Sequence, residues 1–330
     1  MINNTLITIG LGIISAVVFT SSATGPLLVR YFFFLLTSFP IFLSGLGWGW
    51  QSACLSGFSC FIILAFLLGF EPAFICASGQ IIPSIILCYL GLQSRSYYSD
   101  EENLELREWY PSGRLLFWAA LMAGSFSFLL FLITDADLEK LRNNFKEYIT
   151  NSLNSSLSSI ELSSVINEKE LSVLTDLAIR IIPAASAISW LSALIFNLWL
   201  AGRIAKASGH LKRPWPDLSE LNYPSGTALI LLAAVLAANA KGVVSLIGIS
   251  FLGAFFLLYV LCGLAVIHNV TRTTTWRPYI LWALYLSLFL INFWIALLVA
   301  VIGLLDGPLR LRQRIFRSGQ PPPSSKISNM

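Results

Sequence analysis

Apolar stretches about as long as a bilayer is thick recur along the chain, separated by polar segments of very unequal length. Windows rich in Leu, Ile, Phe, Val and Ala predict membrane-spanning helices at about 5–24, 27–46, 48–69, 72–93, 113–133, 178–201, 225–240, 243–267 and 278–304. Most of these windows hold the roughly 20 residues that a helix needs to cross the hydrocarbon core. Barrel strands would alternate apolar and polar residues in segments of about ten, a pattern the chain lacks. The expected fold is an all-α polytopic transmembrane bundle of about eight to nine spans. Spans two and three are joined only by "GLGWGW", Gly45 to Trp50, where glycine permits a tight reversal and indoles suit the lipid–water boundary.

The polar segments divide the chain. Residues 1–201 form an expected six-span N-terminal bundle, 202–224 a basic, proline-rich loop, 225–305 two to three further spans, and 306–330 an Arg-rich then Pro/Ser-rich tail. Within the first part, "SRSYYSDEENLELREWYPSGR" mixes both signs of charge and is expected to be a solvated loop. The segment 134–177 opens with "DADLEKLRNNFKEYI", where Leu138, Leu141, Phe145, Tyr148 and Ile149 recur at helical spacing among charges. That spacing predicts an amphipathic helix lying on the membrane or capping the bundle.

Charge placement suggests an orientation. The 202–224 loop carries Arg203, Lys206, Lys212 and Arg213, so the positive-inside rule assigns it to the cytoplasm. Counting spans backward places the 94–112 loop and the N-terminus on that side and the 134–177 segment outside. Nine uninterrupted crossings would, however, leave the tail arginines Arg310, Arg312, Arg314 and Arg317 outside. Either one C-terminal element is re-entrant, or residues 278–304 bend back as two short helices near "INFW", residues 291–294, or the tail breaks the rule; an interrupted last element is the favoured reading. The expected location is a bacterial inner membrane. No Lys or Arg precedes the first apolar core, which favours a retained first span over a signal peptide.

Composition fits lipid as the main solvent: of 330 residues 56% are hydrophobic and 12% charged, about half the charged share of a soluble domain. The net charge of +4 is small and sits in loops at span ends, giving no support to nucleic-acid binding. All five cysteines lie in apolar runs with no C-x-x-C pair, as buried packing residues do. Catalytic motifs such as H-E-x-x-H, G-x-S-x-G and a P-loop are absent, and His210 and His268 are the only histidines. An enzyme, a metal site or a cofactor is therefore not expected. Glu71 suits the first turn of the fourth span.

Polar residues inside spans are the remaining candidates, because burying them in lipid is costly. Gln51, Gln80 and Asn197 line one small-solute cavity if their spans converge; Arg30, Asn239, Lys241, His268 and Asn292 lie nearer span ends or later in the chain. The competing reading is interhelical hydrogen bonding by amides, worth about 0.6–2 kcal/mol each. Gly10, Gly12, Ser15 and Ala16 form a small-residue seam on span one, and Gly45 and Gly49 lie four apart at the hairpin.

Four stretches, "EWYPSGRLLFW", "LWLAGRIAKASGHLKRPWPDLSELNYP", "CGLAVIH" and "GLLDGPLRLRQR", resemble in order and spacing the YybS-like family of uncharacterised bacterial integral membrane proteins. The resemblance implies that Trp109, Tyr110, Pro111, Gly113, Arg114, Arg213, Pro214, Trp215, Pro216, Gly303, Asp306 and Arg312 are the family's recurring positions. The layout of the first six spans is similar to that of the S components of energy-coupling factor transporters. Those proteins capture vitamins or metal-related solutes and depend on separate membrane and ATPase subunits. This likeness implies a small-solute-binding subunit with the bilayer and transporter subunits as partners; a non-transporting scaffold or assembly factor is the alternative. The doublet Pro214-Trp215-Pro216 is expected to stiffen a surface loop whose Lys212, Arg213 and Trp215 meet lipid headgroups. Asp306 and Arg310 would pair one turn apart, unless Gly307 and Pro308 break the helix first.

Overall fold

The computed structural model describes residues 2–99, 104–133, 143, 146–147, 168–291, 293–309 and 311–312. Most of the 134–177 segment, Asn292, Arg310, Arg314 and Arg317 lie outside these. The described chain is a helical bundle with a single β-hairpin. Seven of its helical stretches are long and apolar enough to cross a membrane, and three shorter apolar helices follow the sixth.

The first four stretches pack as a close group: α1 (Ile2–Ser21), α2 (Leu27–Leu36) continued by α3 (Phe39–Trp48), α4 (Trp50–Leu67), and α5 (Phe70–Cys76) continued through a π turn (Ala77–Ile81) into α6 (Ile82–Gly91). Both interruptions have local causes. Pro40, in the first turn of α3, lacks an N–H for the preceding turn, so the helix breaks at Thr37 and Ser38. The break is stapled from both sides: Ser15 Oγ of α1 donates to Thr37 O at 2.7 Å, and Asn197 donates to Leu35 O at 2.6 Å and Ser38 Oγ at 2.7 Å. The π turn precedes Pro83 and turns Gly79 toward the Phe126 ring, where an added Cβ would lie 2.3 Å from Cζ. On α1, Gly12 packs against the Ser56 backbone while Ser15 and Ala16 are buried. Gly10 faces open space and is no part of that seam.

Where a solvated loop was expected, two strands pair antiparallel, β1 (Ser94–Ser99) with β2 (Leu104–Trp109), in register Ser94 to Trp109. This register sets Arg95 opposite Glu108, a favourable cross-strand pair. Next come α7 (Ser112–Ile133) and α8 (Glu168–Ala207). At 40 residues, about 60 Å, α8 exceeds any bilayer; its apolar part is Ile181–Ala207. Pro183 lies within α8, where Ser127 of α7 donates to its carbonyl at 2.8 Å.

The last four helices are α9 (Thr227–Ala238), α10 (Val243–Val270), α11 (Arg277–Leu290) and α12 (Phe293–Leu309). The anticipated interruption near residues 291–294 is present: α11 ends at Leu290 and α12 starts at Phe293. With 12, 14 and 17 residues, α9, α11 and α12 are about 18, 21 and 25 Å long, short of a 30 Å core. Only α10 among these four spans by length. Helix α12 runs parallel to α10. Phe256 stacks on Phe293 at 6.1 Å; Gly303 then meets Tyr259, and beyond the helix end Arg312 reaches Cys262. The backbones touch at this crossing, for a Cβ on Gly263 would lie 1.9 Å from Val299 O and one on Gly303 2.3 Å from Tyr259 O. The break suggested by Gly307 and Pro308 does not occur: α12 continues through both, and Asp306 pairs with Arg312 at 3.1 Å, while Arg310 lies outside the described residues.

Counting α2–α3 and α5–α6 as one pass each, successive passes alternate in direction, so one end of the bundle gathers the α3–α4 turn, the hairpin, the 208–224 loop, the α10–α11 connection and residues 311–312. The start of α1 lies there too, since α1 runs parallel to α4. We call this the basic end, because Arg95, Arg107, Arg114, Arg203, Lys206, Lys212, Arg213, Arg272, Arg277 and Arg312 all lie there.

Candidate functional site

At the basic end the chain between α8 and α9 folds inward rather than looping over the surface. From Asp217 to Tyr223 it follows α10 for about three turns: Asn269 donates to Ser219 O at 3.4 Å, and Tyr223 donates to Leu258 O at 2.7 Å. Irregular backbone inside a membrane bundle needs partners from the protein, since lipid offers none. Arg312 supplies them. Its two Nη atoms donate to Ser219 O at 2.9 Å and Leu221 O at 2.8 Å, while its Nε lies 3.1 Å from the buried Asp306 carboxylate. Gly113, at the start of α7, faces the same segment; an added Cβ would lie 1.7 Å from Asn222 O, so no side chain fits there.

The preceding stretch is held by its own set of contacts. Arg213 donates to Gly91 O at 3.1 Å at the end of α6, and its Nε is buried with no hydrogen-bond partner among the described residues. Burial pushes the Arg213 pKa down from the usual guanidinium value. Trp215 lies over Gly202 of α8, with Arg203 and Lys206 above its ring at 5.6 and 5.7 Å from the centroid. Asp217 caps the short turn Leu218–Glu220, and its carboxylate is held below the usual range by hydrogen bonds from Ser219, with Arg272 at 3.2 Å adding to the effect.

Beneath this loop lies a groove of about 1010 Å³ between α8 and α10, at the upper limit of ordinary ligand pockets. One wall is the stripe Leu257, Leu261 and Leu264 of α10; the other, from Ser192 to Gly202, is about 15 Å of α8. Arg213, Asp217, Arg272 and Arg277 stand at its polar mouth. Phe196 and Trp199 of α8 and Tyr285 of α11 flank it, each about half exposed. His268 joins α10 to α11, its Nε2 3.3 Å from the Tyr285 hydroxyl.

The three amides do not meet. Gln51 is exposed and borders a shallow, open hollow between α4 and the π turn; Gln80 is buried within that turn; Asn197 is committed to the break between α2 and α3. Neither Gln80 nor Asn197 borders the groove or the hollow. The positions marked by family resemblance do converge: Arg213, Pro214, Trp215 and Pro216 lie in the loop, Gly113 and Arg312 contact its inward part, Asp306 pairs with Arg312, and Gly303 lies at the crossing of α12 with α10. Trp109 has Arg107 5.8 Å from its ring centre, the Tyr110 hydroxyl accepts from Trp118 at 3.2 Å, and Pro111 O accepts from Leu115 N in the first turn of α7. Arg114 is exposed.

A family model described as "Predicted membrane protein (DUF2232)" matches residues 13–307. The chain belongs to this family. That match takes in both walls of the groove and every helix except the first 11 residues of α1 and the last two of α12, and the family description states no activity. No curated protein and no solved structure matches the chain. Sequence reading missed the groove because its walls come from helices about 60 residues apart. The leucine stripe on α10, spaced by four and three residues, was the available signal, but an all-apolar helix hides which stripe faces a void.

Proposed function

We propose that the protein is a membrane-embedded binding subunit that holds a small amphipathic molecule in the groove between α8 and α10. The observation carrying this reading is the groove itself: long apolar walls ending at a mouth of arginines and one aspartate, as an amphipathic guest requires. The sequence has no P-loop, so movement of the guest would draw on a separate energising protein, in keeping with the layout shared with S components. The concentration of Lys and Arg at one end supports a cytoplasmic basic end, a cytoplasmic N-terminus and residence in a bacterial inner membrane. On this reading the protein is not an enzyme.

A non-transporting scaffold is the second reading, and the backbone-to-backbone crossing of α10 and α12 favours it. Mild-detergent purification from the native membrane, with mass spectrometry of retained small molecules and proteins, separates the two. The binding reading expects one recurrent small molecule that is lost in Ser192→Trp, which puts an indole at the end of the α8 wall away from the mouth. Recovery of the protein without a groove-dependent guest, alone or with other envelope proteins, would support the scaffold instead.

A further inference from the structure

We propose that the groove binds an anionic phospholipid, with the phosphate at Arg213 and Arg277 and an acyl chain between α8 and α10; this rests on the groove being a binding site. Charge comes first. Three arginines line the mouth against one aspartate, and that aspartate is already engaged by Ser219 and Arg272. The mouth is thus cationic, and Arg213, which lines it, gives one hydrogen bond among the described residues, to Gly91 O. A guanidinium lining the mouth suits a phosphate oxygen, a strong acceptor for its planar set of donors. Arg203 and Lys206, stacked over Trp215, add positive charge beside the mouth, and basic pockets between membrane helices suit lipid phosphates.

The walls argue for a chain attached to that phosphate. A free anion would use the mouth alone and leave the leucine stripe of α10 and about 15 Å of α8 without a guest. Phe196, Trp199 and Tyr285 are about half exposed where they line the groove, so its flank is open to bilayer chains. A zwitterionic lipid would satisfy the walls but would present its own cation to three arginines.

The test uses the full chain, stripped of lipid in detergent and offered phosphatidylglycerol or phosphatidylcholine of equal chain length, with bound lipid counted by native mass spectrometry. A charge-assisted contact at Arg213 predicts at least about a tenfold preference for the anionic lipid. Arg213→Gln should reduce that preference to near equality. Because Arg213 also braces Gly91, Arg277→Gln serves as a second variant and should weaken the preference in a chain that keeps that brace. Ser192→Trp should lower retention of both lipids. Equal retention of the two lipids, or a preference unchanged in both Arg→Gln variants, overturns the assignment. So does Arg213-dependent retention of inorganic phosphate without lipid. If neither lipid binds while the molecule recovered from native membranes still occupies the groove, the lipid assignment falls and the binding-subunit reading stands. If no guest of any kind depends on Ser192, both fall.

Discussion

Arg312 is the side chain on which the inward loop depends, and its removal has a calculable consequence. In Arg312→Ala the carbonyls of Ser219 and Leu221 lose their donors, and Asp306, 7% exposed, loses the cation 3.1 Å away. Removing one partner of a buried ion pair costs about 3–5 kcal/mol, and each orphaned carbonyl adds about 1–3 kcal/mol where water does not enter. Arg312→Ala should therefore destabilise the fold by at least about 3 kcal/mol, more than a hundredfold in the unfolding equilibrium. Asp306→Ala leaves the guanidinium bonded to both carbonyls and should cost less, about 1–3 kcal/mol. Arg312→Lys keeps the charge but loses the planar fork that serves two carbonyls and a carboxylate together, so it should fall between the two. The assay is equilibrium unfolding in mixed micelles with rising SDS, run on both single variants and the double variant. The double variant should cost less than the sum of the singles, because the pair is already broken after the first change. Strict additivity, or Asp306→Ala costing as much as Arg312→Ala, would refute the assignment of Arg312 as donor to the loop.

Three further outcomes follow from the packing and the chain path. Gly303→Leu should drive α12 off α10, since even a Cβ would sit 2.3 Å from Tyr259 O; faster proteolysis of the C-terminal region in membranes would show it, and unchanged protection would contradict the crossing. Asn197→Leu removes both donors at the break between α2 and α3 and should cost about 0.6–2 kcal/mol in the same unfolding assay, with no effect on guest retention, because Asn197 does not border the groove. Single cysteines replacing His210 and Leu311, in a chain otherwise free of cysteine, should both react with an impermeant maleimide from the same face of sealed vesicles; labelling from opposite faces would contradict the return of α12 to the basic end.

The parts of the fold visible in the sequence are those set by local composition. Membrane spans were legible because crossing lipid demands a run of apolar residues, and no tertiary contact can waive that demand. The β-hairpin was not, because six-residue strands alternate too briefly to stand out among charges, and their pairing is settled only when Ser94 meets Trp109. Breaks within helices fell between. Pro40 and Pro83 are plain in the sequence, but a window tuned to hydropathy averages over them, and the polar groups that tolerate the first break come from Ser15 and Asn197, far away in the chain. Asn197 shows the resulting error: an in-span amide was weighed for solute binding when its partners were the carbonyl and hydroxyl released by a distant kink.

The tail arginines posed the one contradiction that the sequence could state but not resolve, and its resolution ties the fold to the candidate site. An odd number of crossings sent Arg312 to the face opposite the 202–224 loop; the break after Leu290 adds one more pass and brings it back. Arg312 then does more than obey a charge rule, because it donates to two carbonyls of the very loop with which it shares a face. That contact lets the loop run inward along α10, and the inward run places Arg213 and Asp217 over the groove instead of in open water. Loss of the clasp should thus weaken guest retention as well as stability, although Arg312 does not border the groove, and Arg312→Lys should recover part of both. A variant that unfolds more easily yet binds its guest with undiminished selectivity would separate the loop from the site and sever this link.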